Sequence, residues 1–230
     1  MIQILDIYFD NPFDAEKEKA TGTDGVIVKA GQGHAIYKHT HMISECERVG
    51  LPWGVYWVQD ARYNPDGHKR AIKTAFPGGD FGLLGLWMDI EKPSWTMLDS
   101  FYRLLPYKYA GPVMSVIHGV IDYSGKKPGV YTSPGAYNLI LSGASVSDRD
   151  FLGTLPLWTA QYNSHISKPD LYGSWINWHY WQYQEGPDYS VFNGTDQQFY
   201  SLIGGSLPAG QRFSQTVNMG SETVRLKESQ

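Results

Sequence analysis

Short apolar runs alternate with amphipathic stretches through the first half of the chain. Residues 2–8, 25–29, 54–58, 83–90, 129–131, 155–160 and 178–183 have strand character. Val26-Ile27-Val28 and Leu83-Leu84-Gly85-Leu86-Trp87-Met88 are almost unbroken apolar sequence, which predicts strands covered on both faces. Between the runs, helices are predicted over residues 40–49, 65–76, 94–109 and 111–123. The last places Val113, Val116, Ile117, Val120 and Ile121 at helical spacing. Asn64 reads as an N-cap before Pro65 at the first helical position, and Ser94 as a possible cap of the helix that starts there.

Strand followed by helix, about five times over, implies a parallel sheet of βαβ units. After Leu141 the apolar runs are separated by loops rich in Gly, Ser, Asn and Pro, and helices become scarce. The expected fold is an α/β, modified TIM-like barrel whose last strands lack full helices. Residues 1–205 are read as one catalytic domain and 206–230, polar and weakly periodic, as a tail or short terminal element.

Composition narrows the function classes. The net charge is -4 over 230 residues, and the only adjacent basic pairs are Lys126-Lys127 and Lys69-Arg70, so a nucleic-acid partner is not expected. No apolar run approaches the ~18 residues that would span a bilayer. One cysteine, Cys46, excludes an internal disulfide framework. Aromatic residues make up 14%, with eight Trp and sixteen Tyr. They suit a Trp-rich core or flat apolar surfaces such as sugar rings, and composition leaves those two readings even.

Chemistry enters with Leu86-Trp87-Met88-Asp89-Ile90-Glu91. Strand side chains alternate, so Asp89 and Glu91 share a face with Cα atoms about 6.6 Å apart. At the C-terminal end of a barrel strand, two carboxylates in different environments divide acid and anion roles. Alone, the pair reads as a solvated strand end. Asp6, near the end of the first strand, and Asp188, past the aromatic run 178–183, change the odds. Brought to one rim lined by Trp and Tyr, four carboxylates supply what glycosidic cleavage needs: a proton for the leaving oxygen and stabilisation of an oxocarbenium-like charge.

The chain resembles glycoside hydrolase family 25, the N-acetylmuramidase lysozymes common in phage lysins. The matching segments run in order. They are Leu5-Asp6-Ile7, Val26-Ile27-Val28-Lys29-Ala30 with Gly33, Gly50-Leu51 with Gly54-Val55-Tyr56, and Met88-Asp89-Ile90-Glu91. Pro128-Gly129-Val130-Tyr131-Thr132-Ser133, Leu157-Trp158-Thr159-Ala160-Gln161-Tyr162, Trp181-Gln182-Tyr183, and Asp188 before Val191-Phe192-Asn193-Gly194 complete the set. The resemblance implies a barrel of about eight strands with about five helices. It implies a muramidase with Glu91 as general acid/base and Asp89 stabilising the reacting sugar. Asp6 and Asp188 would complete the acidic floor. Tyr56, Tyr131 and Trp181 would form the aromatic wall, with Gln182 and Gln32 also meeting substrate. Gln32 stands where many members carry a glutamate, and the first loop departs from the family with Tyr8, Phe9, Asp10, Asn11 and Pro12. The partner implied is the glycan strand of bacterial peptidoglycan, with no cofactor and no metal.

A chitinase-like enzyme also ends a barrel strand in D-x-E, but its additional Asp would fall at Trp87. A non-catalytic wall-binding module gains little from clustered like charges. The N-terminal sequence lacks a basic leader and apolar core, so the expected product is a lysin made in the host cytoplasm and acting on the wall after release. His34, His39 and His41 lack metal spacing. Cys46 reads as a buried small hydrophobe, Ser133 as a helix cap rather than a nucleophile, and Asn193-Gly194-Thr195 as a turn.

Overall fold

The computed structural model describes residues 1–8, 10, 12–60, 63–91, 107–162 and 167–204. The strands are β1 (Gln3–Ile7), β2 (Gly25–Gln32), β3 (Ala35–Ile36), β4 (Trp53–Val58), β5 (Leu86–Asp89), β6 (Gly129–Thr132), β7 (Leu157–Ala160), β8 (Tyr180–Gln184) and β9 (Asp188–Phe192). All but β3 close into an eight-strand barrel in the order β1-β2-β4-β5-β6-β7-β8-β9, with β9 returning to β1 and β3 a short hairpin on β2. Neighbours from β1 to β8 are parallel, while β9 runs antiparallel to both β8 and β1. The modified TIM-like barrel expected from the sequence is therefore present. Its modification is the reversed closing strand.

Seven α-helices occur among the described residues: α1 (Ala15–Thr21), α2 (Thr40–Val49), α3 (Pro65–Ala75), α4 (Tyr107–Ser124), α5 (Pro134–Ala136), α6 (Val146–Leu152) and α7 (Asp196–Leu202). The three-residue α5 continues into a π-turn, Tyr137–Leu141. Asn64 caps α3, its side chain accepting from the Asp66 amide, and Ser133 caps α5 by accepting from the Ala136 amide. No helix is seen between β7 and β8 among the described residues. Residues 94–106 of the anticipated helix over 94–109 and the tail from 206 lie outside the described residues, while 107–109 form the start of α4. No described helix is long and apolar enough to cross a membrane.

Three apolar clusters hold the barrel. Alternation along β1, β5 and β7 sends Ile4, Trp87 and Trp158 inward with Ile27, Tyr131 and Tyr180, where α7 adds Phe199 from below. The opposite faces of β4 to β7 place Val55, Trp57, Leu86, Met88, Val130 and Leu157 against Ile72 of α3 and Val113, Val116, Ile117 and Val120 of α4. Leu5, Val26 and Val28 pack on Met42 and Cys46 of α2. Strand β5 begins at Leu86, later than the apolar run, because Gly82 and Gly85 have φ of 72° and 75° and turn the chain before it, leaving Leu83 60% exposed.

Candidate active site

Alternation along β5 puts Trp87, Asp89 and then Glu91 on the inner face, while Met88 and Ile90 are locked into the outer core. The backbone just before Glu91 is pinned on both sides. The Ile90 amide donates to Tyr131 O at 2.9 Å, and Thr132 Oγ1 donates to Ile90 O at 2.7 Å. Asp6 and Asp188 are cross-strand partners in the antiparallel β1–β9 register, so the reversed strand presents Asp188 from its starting end beside Asp6. The Asp188 carboxylate accepts the Gly186 amide at 3.2 Å. All four sequence-predicted carboxylates thus reach one cleft of about 330 Å³, together with Tyr56, Tyr131 and Gln182.

Two other sequence-predicted residues fall elsewhere. Trp181 alternates with Tyr180 and Gln182 along β8, so it points away from the cleft. It is 8% exposed, its ring packs on Trp178 and Tyr183, and its Nε1 donates to Gln161 O. A wall position for Trp181 is corrected by strand alternation: the cleft takes Gln182 instead. Gln32 ends β2 and accepts from Lys29 Nζ at 3.4 Å, outside the cleft lining.

The cleft also holds residues the sequence reading passed over. Trp158 lies at its base and Tyr162 and Glu185 at its edge. Lys29 faces it from β2, with Nζ 5.9 Å from the Tyr56 ring centre and 5.5 Å from that of Tyr37. A lysine inside Val26-Ile27-Val28-Lys29-Ala30 was a legible signal, since a charge in a doubly covered strand needs a reason to be there.

Electrostatics follow from this crowding. Asp89 is 4% exposed and its Oδ1 has no hydrogen-bond partner among the described residues. Burial, then the Glu91 charge, push its carboxyl well above the ordinary range, with Lys29 opposing. Asp6 is raised by burial and by Asp188, against the Gln182 amide that donates to it at 2.8 Å. Glu91 opens to solvent on one side, yet loss of water around it still raises its carboxyl. The neighbouring Tyr131 hydroxyl and the Lys29 charge pull it back, while Asp188 and Glu185 add to the rise. Tyr56 and Tyr131 are held neutral by burial and then by these carboxylates.

A larger hollow of about 440 Å³ lies beside Phe81, Leu83, Lys126, Lys127 and Leu202, with no carboxylate in its lining. It offers no comparable chemistry. Among the described residues no group of three or more His, Cys, Asp or Glu side chains could hold a metal ion. His34 instead packs on Tyr63 and His68, and His39 Nδ1 contacts Tyr37 O.

No family model and no curated protein matches the sequence. Solved structures do match the fold. A muramidase from Acremonium alcalophilum is 20% identical with a TM-score of 0.72, the alignment covering 88% of this chain and 99% of that one. A family GH25 lysozyme from Aspergillus fumigatus is 20% identical at a TM-score of 0.73, covering 88% and 98%. The catalytic domain of endolysin ply40 from a bacteriophage of Listeria monocytogenes is 18% identical at a TM-score of 0.58, covering 89% and 98%. The fold is that of glycoside hydrolase family 25.

Proposed function

We propose that this chain is a peptidoglycan hydrolase, a lysozyme of the N-acetylmuramidase type that cuts the β-1,4 bond from N-acetylmuramic acid to N-acetylglucosamine. The observation that carries the reading is the pairing of two unlike carboxyls on one strand face. Asp89 is sunk in the floor with an unused oxygen, and Glu91 stands at the open side, held toward its protonated form. A glycosidic oxygen leaves readily only when protonated, and an acid raised above its ordinary range keeps its proton to higher pH than a free carboxyl does.

In this mechanism Glu91 gives its proton to the leaving oxygen as the glycosidic bond breaks. Positive charge then develops at the sugar ring directly over Asp89, Asp6 and Asp188. In the free protein burial, and then neighbouring carboxyls, disfavour the charged forms of Asp89 and Asp6; the transition state supplies the missing countercharge, so the floor binds it better than the ground state. The unpaired Oδ1 of Asp89 is suited to accept the N–H of the 2-acetamido group that marks both wall sugars. Glu91, now anionic, takes a proton from the water that completes hydrolysis. Tyr56, Tyr131 and Trp158 give the sugar its apolar bed. Every group required is a side chain of the chain itself, so neither a cofactor nor a metal is part of the scheme.

The fold shared with a phage endolysin domain and the family-like motifs together support a lysin acting on the glycan strands of the bacterial wall, with residues 1–205 as its catalytic domain. The test is digestion of purified peptidoglycan followed by borohydride reduction and mass analysis of the new ends. Reduced muramic acid is expected; reduced glucosamine would move the cut to the other bond, and free amino groups without new reducing ends would make the protein an amidase or peptidase. Glu91→Gln is expected to lose at least ~10²-fold of turnover, and near-normal activity in it would reassign the acid.

A further inference from the structure

One amide oxygen beneath the cleft has more donors than a fixed structure needs. Gln182 is 2% exposed, and its Oε1 accepts two phenols at once, Tyr131 Oη at 2.5 Å and Tyr162 Oη at 2.5 Å. Both lone pairs of the carbonyl are then used, and the amide orientation is set: with the oxygen facing two O–H donors, Nε2 must face Asp6, where it donates at 2.8 Å. One phenol would have satisfied the buried oxygen. The second makes the first dispensable there.

The same Tyr131 hydroxyl lines the cleft with Glu91, which stands two residues beyond Tyr131's cross-strand partner Asp89, and it acts to lower the Glu91 carboxyl. Tyr131 is anchored on β6 beside Asp89, and its carbonyl holds the Ile90 amide, so its side chain stays in register with the β5 carboxyls. Tyr162 lies further out, half of it in solvent at 46% exposed, with its hydroxyl turned inward.

We propose that Tyr131 is a two-position donor, resting on Gln182 while Glu91 holds its proton and turning to Glu91 once that proton has left, and that Tyr162 is the positioning residue that frees it to turn. The inference rests on the reading of Glu91 as the acid. No proton leaves Tyr131 in this exchange. The only proton transferred passes from the Glu91 carboxyl to the glycosidic oxygen, and Tyr131 reorients its own O–H toward the carboxylate left behind. Without Tyr162 the move would strip a buried amide oxygen of its last donor, which is what makes unpaired buried groups costly. With Tyr162 in place the oxygen stays satisfied and Gln182 keeps its hold on Asp6.

Other groups around Glu91 set the background and stay constant in the test. They are the carboxyls of Asp6, Asp89, Glu185 and Asp188, the Lys29 ammonium opposite, and the neutral Tyr56 phenol. Removing a neutral hydroxyl from Tyr162 changes no charge, so any effect on Glu91 must pass through the network.

The experiment is titration of the Glu91 side chain by carboxyl-carbon NMR in the free protein, for wild type, Tyr131→Phe, Tyr162→Phe and the double variant, with thermal melts to show that each is folded. Tyr131→Phe is expected to raise the Glu91 titration midpoint. Tyr162→Phe is expected to raise it in the same direction, although Tyr162 acts at one remove, because Tyr131 is then needed on Gln182. The double variant should go no further than Tyr131→Phe alone. On peptidoglycan the losses should fall in kcat, about tenfold or more for Tyr131→Phe, with KM little changed. A wild-type midpoint in Tyr162→Phe, an unmoved midpoint in Tyr131→Phe, or additive shifts would each overturn the proposal. Absence of new reducing ends with the wild type would instead overturn the hydrolase reading, and the titration would still report on the network.

Discussion

At the scale of single residues, the cleft stores instability for chemical use. Asp89 has its carboxyl raised by burial and by Glu91, so the folded form binds a proton more tightly than the unfolded chain does. Its favourable contribution is full below the ordinary carboxylate range and is lost as pH climbs through the raised value. Asp89→Asn removes the buried charge, and is expected to raise the thermal midpoint at pH 7, by roughly 2–4 °C for each 1 kcal/mol regained, while sharply lowering hydrolysis. A midpoint at or below wild type would show that the Asp89 charge is compensated after all. Such a trade between stability and activity is common at active sites.

Residues of this kind were readable to differing degrees. Asp89 and Glu91 could be placed together because period-two alternation needs only two positions to work. Asp6 and Asp188 are 182 residues apart, and their pairing depends on which strand closes the barrel, a fact carried by no local pattern. Trp181 misled because Trp181-Gln182-Tyr183 is aromatic on one face of β8 and polar on the other, and nothing inside the motif says which face looks inward. Tyr162 and Glu185 sit just beyond strand ends, where side-chain direction is set by the turn.

At the scale of elements, legibility followed the strength of periodicity. Helices α2 and α3 carry clear apolar stripes, and the Asn64-Pro65 start of α3 was visible in sequence. Helix α1 escaped notice because Ala15-Glu16-Lys17-Glu18-Lys19-Ala20-Thr21 has only Ala15 buried; an Asp14 cap and a left-handed Gly22 define it instead. Helix α7 depends on its ends as well. Thr195 and Gln198 form a reciprocal capping box, and the helix seats Phe199 at 0% exposure in the barrel bottom. Thr195→Ala is therefore expected to cost about 1 kcal/mol, seen as a drop of roughly 2–4 °C in the thermal midpoint with KM unchanged. A drop in KM or kcat alone would mean that the bottom of the barrel communicates with its mouth.

At the scale of the whole molecule, two families of buried groups pull on stability in opposite directions. His68 and His179 are each lowered to about 4 by burial, and His68 further by His34. An imidazole depressed below its ordinary value of about 6.5 contributes stability above that value, and loses it as pH falls toward the folded value. The raised carboxyls of Asp6, Asp89 and Glu91 lose theirs as pH rises. Melting curves across pH should separate the two. His68→Gln should gain on wild type progressively as pH falls below about 6.5, whereas Asp89→Asn should gain as pH rises. Parallel curves for His68→Gln and wild type would show that His68 is not held neutral in the fold.

The reversed strand β9 has a consequence for biosynthesis. It joins β1, which precedes the other barrel strands in chain order, to β8, and it brings Asp188. A nascent polypeptide emerging from the ribosome already contains the Asp89/Glu91 pair, but its barrel is an open sheet with a missing stave and an incomplete acidic floor. On the proposed function, hydrolytic competence is deferred until translation has passed the closing strand, and a fragment ending before β9 carries Glu91 without the closed cleft in which it would act.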